Sequence, residues 1–317
     1  MKTGLCFIFT ILALLLVYAC SKEEIPEEPD PFEPDDLSGS VVFQEVSTRT
    51  LKMADVNSMN NANSYNYAKS YTRPVWSHNG TKFAAIELRS PTETGYEASD
   101  FVINIVDVES GSTTTHEIGS SLQIELRGPL SWSPDGKTLA FITQAFSTII
   151  YLDTETGDTI QTEFPEQTYG RITALAWHPN GDLAVSISDS HDYQHDIEIW
   201  MLEPFTTTLK TKISAATITR SYAFEFMDWN STGSKLLLSD PVFYNEFDML
   251  DFNTGEHNTI PNIKGLAPCW SPDGKYILYT GISGVNDWKI IPGLFLTHME
   301  GSFETLLITD AGYSDWH

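Results

Sequence analysis

The stretch of this chain whose side chains are typed and spaced most like a metal site is Asp189-Ser190-His191-Asp192-Tyr193-Gln194-His195-Asp196. His191 and His195 have the spacing that puts two imidazoles on one face of a helical zinc site, with Asp192 beside them. The sequence around them reads as a loop between strands, however, and no glutamate stands between the histidines as a general base. A solvated loop is therefore the expected state of His191, Asp192 and His195. Cys269 sits beside Trp270 in an apolar strand with no histidine near it in sequence, and reads as an inert core thiol. The chain contains no Gly-x-Ser-x-Gly elbow, phosphate loop, dinucleotide fingerprint or His-Glu-x-x-His. No catalytic residue, metal or cofactor is assigned on this basis.

The remaining candidates are residues that bind. Tyr96, Tyr193, Tyr244 and Trp288, with Phe243, fall in long aromatic connections at residues 90–100, 188–196, 240–247 and 281–292. Aromatic side chains with polar tips on loops are common interface anchors, and the alternative for each is packing between neighbouring sheets. Arg73, Arg127, Arg171, Arg220 and Lys264, with Lys69, lie within ten residues before a tryptophan. Five acids share those segments, which are thus nearly neutral in a strongly acidic chain. A locally cationic mouth suited to a carboxylate or an anionic sugar is one reading of this asymmetry; salt bridges between loops and sheets are the other.

What must position these residues is a repeat. Trp76, Trp132, Trp177, Trp229, Trp270 and Trp316 are separated by 56, 45, 52, 41 and 46 residues, and Gly80, Gly136, Gly181, Gly233 and Gly274 each follow a tryptophan by four. Repeats of that length mark propellers, solenoids or arrays. Leu130-Ser131-Trp132 is a short apolar strand, and Ser133-Pro134-Asp135-Gly136 is a tight turn. There proline sets φ, aspartate bonds the backbone and glycine accepts positive φ. Lys137 to Ile142 is then a buried return strand. Cys269 to Tyr279 repeats this almost residue for residue. A second marker, an aspartate four before a glycine, closes an apolar strand at Asp107/Gly111, Asp153/Gly157 and Asp251/Gly255. Each unit is strand, tight turn, strand, variable loop, strand, turn, strand.

The Trp-Ser-Pro-Asp-Gly-Lys motif followed by an apolar strand resembles the propeller repeats of TolB-type periplasmic proteins. The resemblance covers about residues 73–317 and implies an all-β propeller of four-stranded antiparallel blades, without naming a ligand. Trp316 is penultimate, so the last unit holds only its first strand. Val41-Val42-Phe43, Thr50 to Met53 and Tyr65-Asn66-Tyr67 can supply its missing outer strands. Six blades, closed by joining the two termini, is the expectation. Five blades with residues 41–72 as an arm is the alternative.

The N-terminal region carries its own signals. Lys2 precedes an apolar run from Leu5 to Ala19, too short for a comfortable membrane span and shaped as a signal peptide over residues 1–19. Ala19-Cys20 resembles the lipobox of bacterial lipoproteins, which implies a lipid anchor on Cys20. An ordinary secretory signal is the alternative. Ser21-Lys22-Glu23-Glu24 resembles a short signal that exports lipoproteins to the cell surface in one Gram-negative phylum. Residues 20–40 then form an acidic, proline-rich tether before a propeller at 41–317, with eight acids between Glu23 and Asp36.

The formal charge is −25, and residues 41–317 hold 35 acids against 16 bases. Nucleic acid is excluded as a partner, since its binding depends on Lys and Arg neutralising phosphate. The expected protein is an outer-membrane lipoprotein, surface-exposed or facing the periplasm. It is attached to the membrane through Cys20 and engages an envelope protein or a glycan without catalysis. The rival reading is a propeller enzyme acting, lyase-like, on an anionic polysaccharide at the channel mouth.

Overall fold

The tryptophan turn is built the same way in both repeats that carry Ser-Pro-Asp-Gly. In Ser133–Gly136, the Gly136 amide donates to the Ser133 carbonyl (2.9 Å), and the Lys137 amide donates to Asp135 Oδ1 (3.1 Å). The Ser133 hydroxyl donates to Asp135 Oδ1 and accepts from the Thr138 amide. Ser271 and Asp273 reproduce all four contacts. Asn230 takes the serine's place in the degenerate repeat, its Oδ1 accepting from the Ser234 and Lys235 amides. A short polar side chain after tryptophan thus closes the turn, and the glycine takes φ of +68° at Gly136 and +72° at Gly274.

These turns join strands into six antiparallel sheets. The computed structural model describes residues 37–65, 73–88, 101–118, 130–143, 147–164, 170–191, 194–213, 218–242, 245–286 and 289–317. Blade 1 is β4 (Val75–Trp76), β5 (Lys82–Leu88), β6 (Phe101–Asp107) and β7 (Thr113–Ile118). Blade 2 is β8 (Ser131–Trp132), β9 (Thr138–Ile142), β10 (Thr148–Asp153) and β11 (Thr159–Glu163). Blade 3 is β12 (Arg171–Trp177), β13 (Leu183–His191), β14 (Gln194–Leu202) and β15 (Leu209–Lys212), with β16 (Ile218–Arg220) added against β14. Blade 4 is β17 (Phe226–Trp229), β18 (Lys235–Ser239), β19 (Glu246–Asp251) and β20 (His257–Lys264). Blade 5 is β21 (Leu266–Trp270), β22 (Tyr276–Asn286), β23 (Lys289–His298) and β24 (Glu304–Thr309).

Blade 6 joins the ends. β25 (Ala311–Trp316) pairs with β1 (Ser40–Glu45), which leads to β2 (Thr50–Asp55) and β3 (Asn63–Tyr65). Val41 lies opposite Trp316 and Val42 opposite Asp315. The protein is a six-bladed β-propeller, and residues 41–65 supply three strands of the closing blade, with a short 3-10 helix at Val56–Asn61, rather than an arm. The latch is tight at its tip: Ser40 and His317 exchange both backbone hydrogen bonds. Gly39 beside them has φ +107°, and a Cβ there would sit 2.5 Å from the His317 carbonyl oxygen. Gly39→Ala is expected to destabilise by about 1–3 kcal/mol. Gly111→Ala, at φ +67° with open space around it, should cost less, with urea unfolding as the measure for both variants.

The blades pack through both faces, which is why their central strands read as unbroken apolar runs. On β9, Leu139 and Phe141 face blade 1 beside Ile103 and Ile105, while Ala140 and Ile142 face blade 3 beside Leu175 and Val185. Val42 and Leu51 of blade 6 pack on Trp76 and Phe83 of blade 1, so the latch also seals the ring's last apolar seam.

Two expected loops are strands. Residues 188–196 lie mostly within the β13–β14 hairpin, where His191 pairs with Gln194 and Ser190 with His195. Residues 281–292 likewise lie mostly within the β22–β23 hairpin. Once inner pairs such as Val185 with Trp200 set the register, each further antiparallel pair satisfies more backbone groups, whatever the side chains' polarity.

Candidate binding funnel

The six tryptophan strands are innermost, and the residue before each tryptophan alternates around the ring. Val75, Ala176 and Cys269 are apolar; Ser131, Asp228 and Asp315 are polar. Each polar one reaches the next blade and accepts its tryptophan amide. Ser131 Oγ takes Trp177 N–H at 2.9 Å, Asp228 Oδ2 takes Trp270 N–H at 2.9 Å, and Asp315 Oδ2 takes Trp76 N–H at 2.7 Å. Indoles add to the stitching: Trp132 Nε1 donates to the Val75 carbonyl (3.1 Å) and Trp270 Nε1 to the Asp228 carbonyl (3.2 Å). Those blade contacts hold a central cavity of about 240 Å³.

The cavity opens on the face of the tryptophan turns, where His78, Ser231, Pro272 and His317 line it. Deeper in stand Arg73, Asp228 and Asp315. At the opposite end of the inner strands, Phe226, Leu266 and Ala267 cluster with Tyr313. Ala267 and Tyr313 both have φ of +49°. They accompany the register shifts that bend β21 and β25, and non-glycine residues held so are strained.

The charges inside do not balance. Arg73 is buried; its Nε donates to the Ser314 carbonyl (3.1 Å) and its Nη2 to Asp315 Oδ1 (3.2 Å). Asp315 therefore spends both oxygens, one on the guanidinium and one on the Trp76 amide. Asp228 spends Oδ2 on Trp270, and its Oδ1 has no partner among the described residues. Surrounding protein strips water from Asp228 and pushes its pKa up to about 7; Arg73 opposes the shift and Asp315 adds to it. Burial, with the negative charge of Asp315, also drives the Cys269 thiol upward, so it is an inert group as its sequence context predicts. Burial holds the His78 imidazole below its usual value.

The sequence-derived candidates scatter differently. Arg73 belongs to the cavity, but as the partner of Asp315 rather than as a free cation. Arg171 is exposed at the start of β12, and Lys264 is exposed at the end of β20, opposite Glu246. Arg220 pairs with His195 through the β16–β14 ladder. Cys20, Tyr96, Arg127, Asp192, Tyr193, Tyr244 and Trp288 lie outside the described residues. His191 and His195 are described in backbone only. Among the described residues no group of three or more His, Cys, Asp or Glu could hold a metal ion. Asp228 and Asp315 appear in the sequence only as charges in the pre-tryptophan segments. Their signal is the polar–apolar alternation before the tryptophans, which matters only once the ring order is known.

Residues 158–193 match the family profile described as WD domain, G-beta repeat. That span is about one repeat, running from the outer strand of blade 2 into the β13–β14 hairpin of blade 3. None of the curated proteins matches this chain. Among solved structures, a chain of a nidogen/laminin complex aligns over 88% of this chain and 98% of its own, at 11% identity and a TM-score of 0.60. A protein assigned as TolB from Agrobacterium tumefaciens aligns over 89% and 99%, at 14% identity and a TM-score of 0.54. A structural genomics protein of unknown function from Bacteroides thetaiotaomicron aligns over 82% of this chain and 67% of its own, at 12% identity and a TM-score of 0.52. At these identities the likeness is one of fold.

Proposed function

We propose that this propeller is a non-catalytic binding module of the TolB-like kind, carried at the bacterial outer membrane by lipid on Cys20. In this reading it presents the funnel on its tryptophan-turn face to an envelope protein or a glycan. The observation that carries the reading is the funnel itself: a cavity of about 240 Å³ whose charged groups are largely spent on the amides and carbonyls of neighbouring inner strands. Groups so engaged hold a shape, and a rigid scaffold with a shaped mouth is what recognition needs. One of the structural neighbours was itself solved as a complex, of nidogen with laminin. The lyase-like alternative loses support in this cavity, where two carboxylates face one guanidinium and would repel an anionic polysaccharide.

The anchor follows from the N-terminal sequence. Several acyl chains exceed the marginal hold of one, and a tether of about 20 residues at roughly 3.1 Å each would allow up to about 60 Å of reach. Full-length protein expressed in a Gram-negative host should partition with detergent, and Cys20→Ser should move it to the aqueous phase. If both behave alike, the anchor is wrong. For the binding role, the anchored protein is used to capture partners from envelope extracts, alongside a glycan array. Specific capture that is lost when Ser231→Trp narrows the funnel rim supports the reading. Capture indifferent to that change places recognition elsewhere and overturns it.

A further inference from the structure

Resting on that reading of the funnel as a recognition site, we infer that it takes a single ammonium group, seated on the Asp228 carboxylate. The argument begins from charge. Arg73, Asp228 and Asp315 are the charged side chains of the cavity, and Arg73 is committed to Asp315 and the Ser314 carbonyl. With both carboxylates ionised, the set carries one net negative charge. The uncompensated oxygen is Asp228 Oδ1, which has no donor among the described residues while Oδ2 holds the Trp270 amide. A carboxylate enclosed by protein and short of a donor can be satisfied in two ways: by a proton or by a cation brought in from solution.

The kind of cation follows from the surroundings. A hard divalent ion wants six or more oxygen ligands, and the cavity offers two carboxylates, one of them already paired with a guanidinium. An ammonium needs one negative partner and brings up to three donors of its own. The walls suit its carbon chain, since Trp76, Trp132, Trp177, Trp229, Trp270 and Trp316 all line the funnel, and indole surface attracts cations. A volume of about 240 Å³ lies below the roughly 300–1,000 Å³ of drug-sized pockets, which fits a compact amine or one side chain. The shared chemistry is an alkylammonium, free in solution or borne on a lysine of a partner protein.

Ligand and proton compete for the same oxygen. Arg73, Asp315 and Cys269 face Asp228 from blades 1, 6 and 5, and His78 and His317 stand at the rim. Binding should therefore strengthen with rising pH, up to tenfold per unit, while Asp228 is still protonated, and level off above about pH 7. At pH below that point, each ligand bound should release a proton to buffer.

The test uses the full chain in detergent, titrated with n-butylammonium, n-butanol and butyrate, and with acetyl-Gly-Lys-Gly-amide as the peptide-borne form. Tryptophan fluorescence and calorimetry are the readouts. The expected result is saturable binding of butylammonium and at least a tenfold preference over butanol. Loss of at least tenfold is expected in Asp228→Asn, which keeps an acceptor for the Trp270 amide. Ser231→Trp, at an exposed rim position, should weaken binding without touching the carboxylates, which guards against misfolding of the first variant. Tighter binding of the peptide than of butylammonium assigns the ammonium to a partner's lysine; the reverse assigns it to a free amine. No saturable butylammonium binding, or equal binding by Asp228→Asn, overturns the inference. If butyrate or butanol binds instead, the funnel remains a recognition site and only the ligand's charge is wrong. If no probe binds and partner capture is indifferent to Ser231→Trp, both readings fall.

Discussion

Arg73→Met is expected to cost about 3–5 kcal/mol of stability, a fall in melting temperature of roughly 6–15 °C for a chain of this size. Methionine approximates the apolar stem, so the loss isolates the guanidinium. Three consequences follow together. The Ser314 carbonyl loses its Nε donor, Asp315 loses its counter-charge, and Asp228 loses the positive charge that, ahead of the Trp270 amide, lowers its pKa. The third sets the pH dependence. Asp228 has a folded pKa raised above its unfolded value, so its contribution is fully present below about pH 4 and is lost as pH rises through about 7. Without Arg73 the folded value moves higher still, and the decline continues further into the alkaline range. The variant's deficit should therefore be larger at pH 8 than at pH 5, measured by urea unfolding at both. Arg73→Lys restores the charge without the fork geometry and should recover part of the loss. A deficit that is the same at both pH values would mean that Asp228 and Arg73 are not energetically linked.

The two halves of this architecture were unequally readable from the chain. The turns could be read because their chemistry is local: Ser133, Asp135 and Gly136 bond within five residues, and the same types recur at 271–274. The latch could be read because Trp316 repeats the tryptophan marker and Val41 to Phe43 offer an apolar strand to pair with it. By contrast, the hairpins through 188–196 and 281–292 extend as ladders whose backbone bonds are indifferent to the polar side chains that mark a loop. The pair Arg73–Asp315 spans 242 residues, and only ring closure brings it together. Counting charges in the segments before each tryptophan gave a near-balance and a cationic hypothesis. Among the described residues, position adds what a count does not hold: Arg73 is consumed by Asp315 while Asp228 keeps an open oxygen.

Val42→Asp is expected to abolish cooperative unfolding at 25 °C altogether. Val42 is fully buried, and it meets Leu51, Trp76, Phe83 and Val106 where blade 6 seals against blade 1. A carboxylate there would be unpaired and desolvated, a change that by itself exceeds about 4 kcal/mol. Its position makes matters worse. Val42 lies directly opposite Asp315, so the new charge would face the carboxylate that already holds Trp76 N–H and Arg73. The latch and the funnel floor are thus one structure, and loosening the first should empty the second of its geometry. An opened ring also frees the edges of β1 and β25, each a template for association with another chain. The expected signs are loss of near-ultraviolet dichroism, a broad thermal transition and larger species on gel filtration. Ser64→Asp, exposed on the outermost strand of the same blade, should stay within about 0.5 kcal/mol of the parent. A Val42→Asp protein that still melts sharply as a monomer would show that blade 6 closes the ring by backbone pairing alone, without its apolar seam.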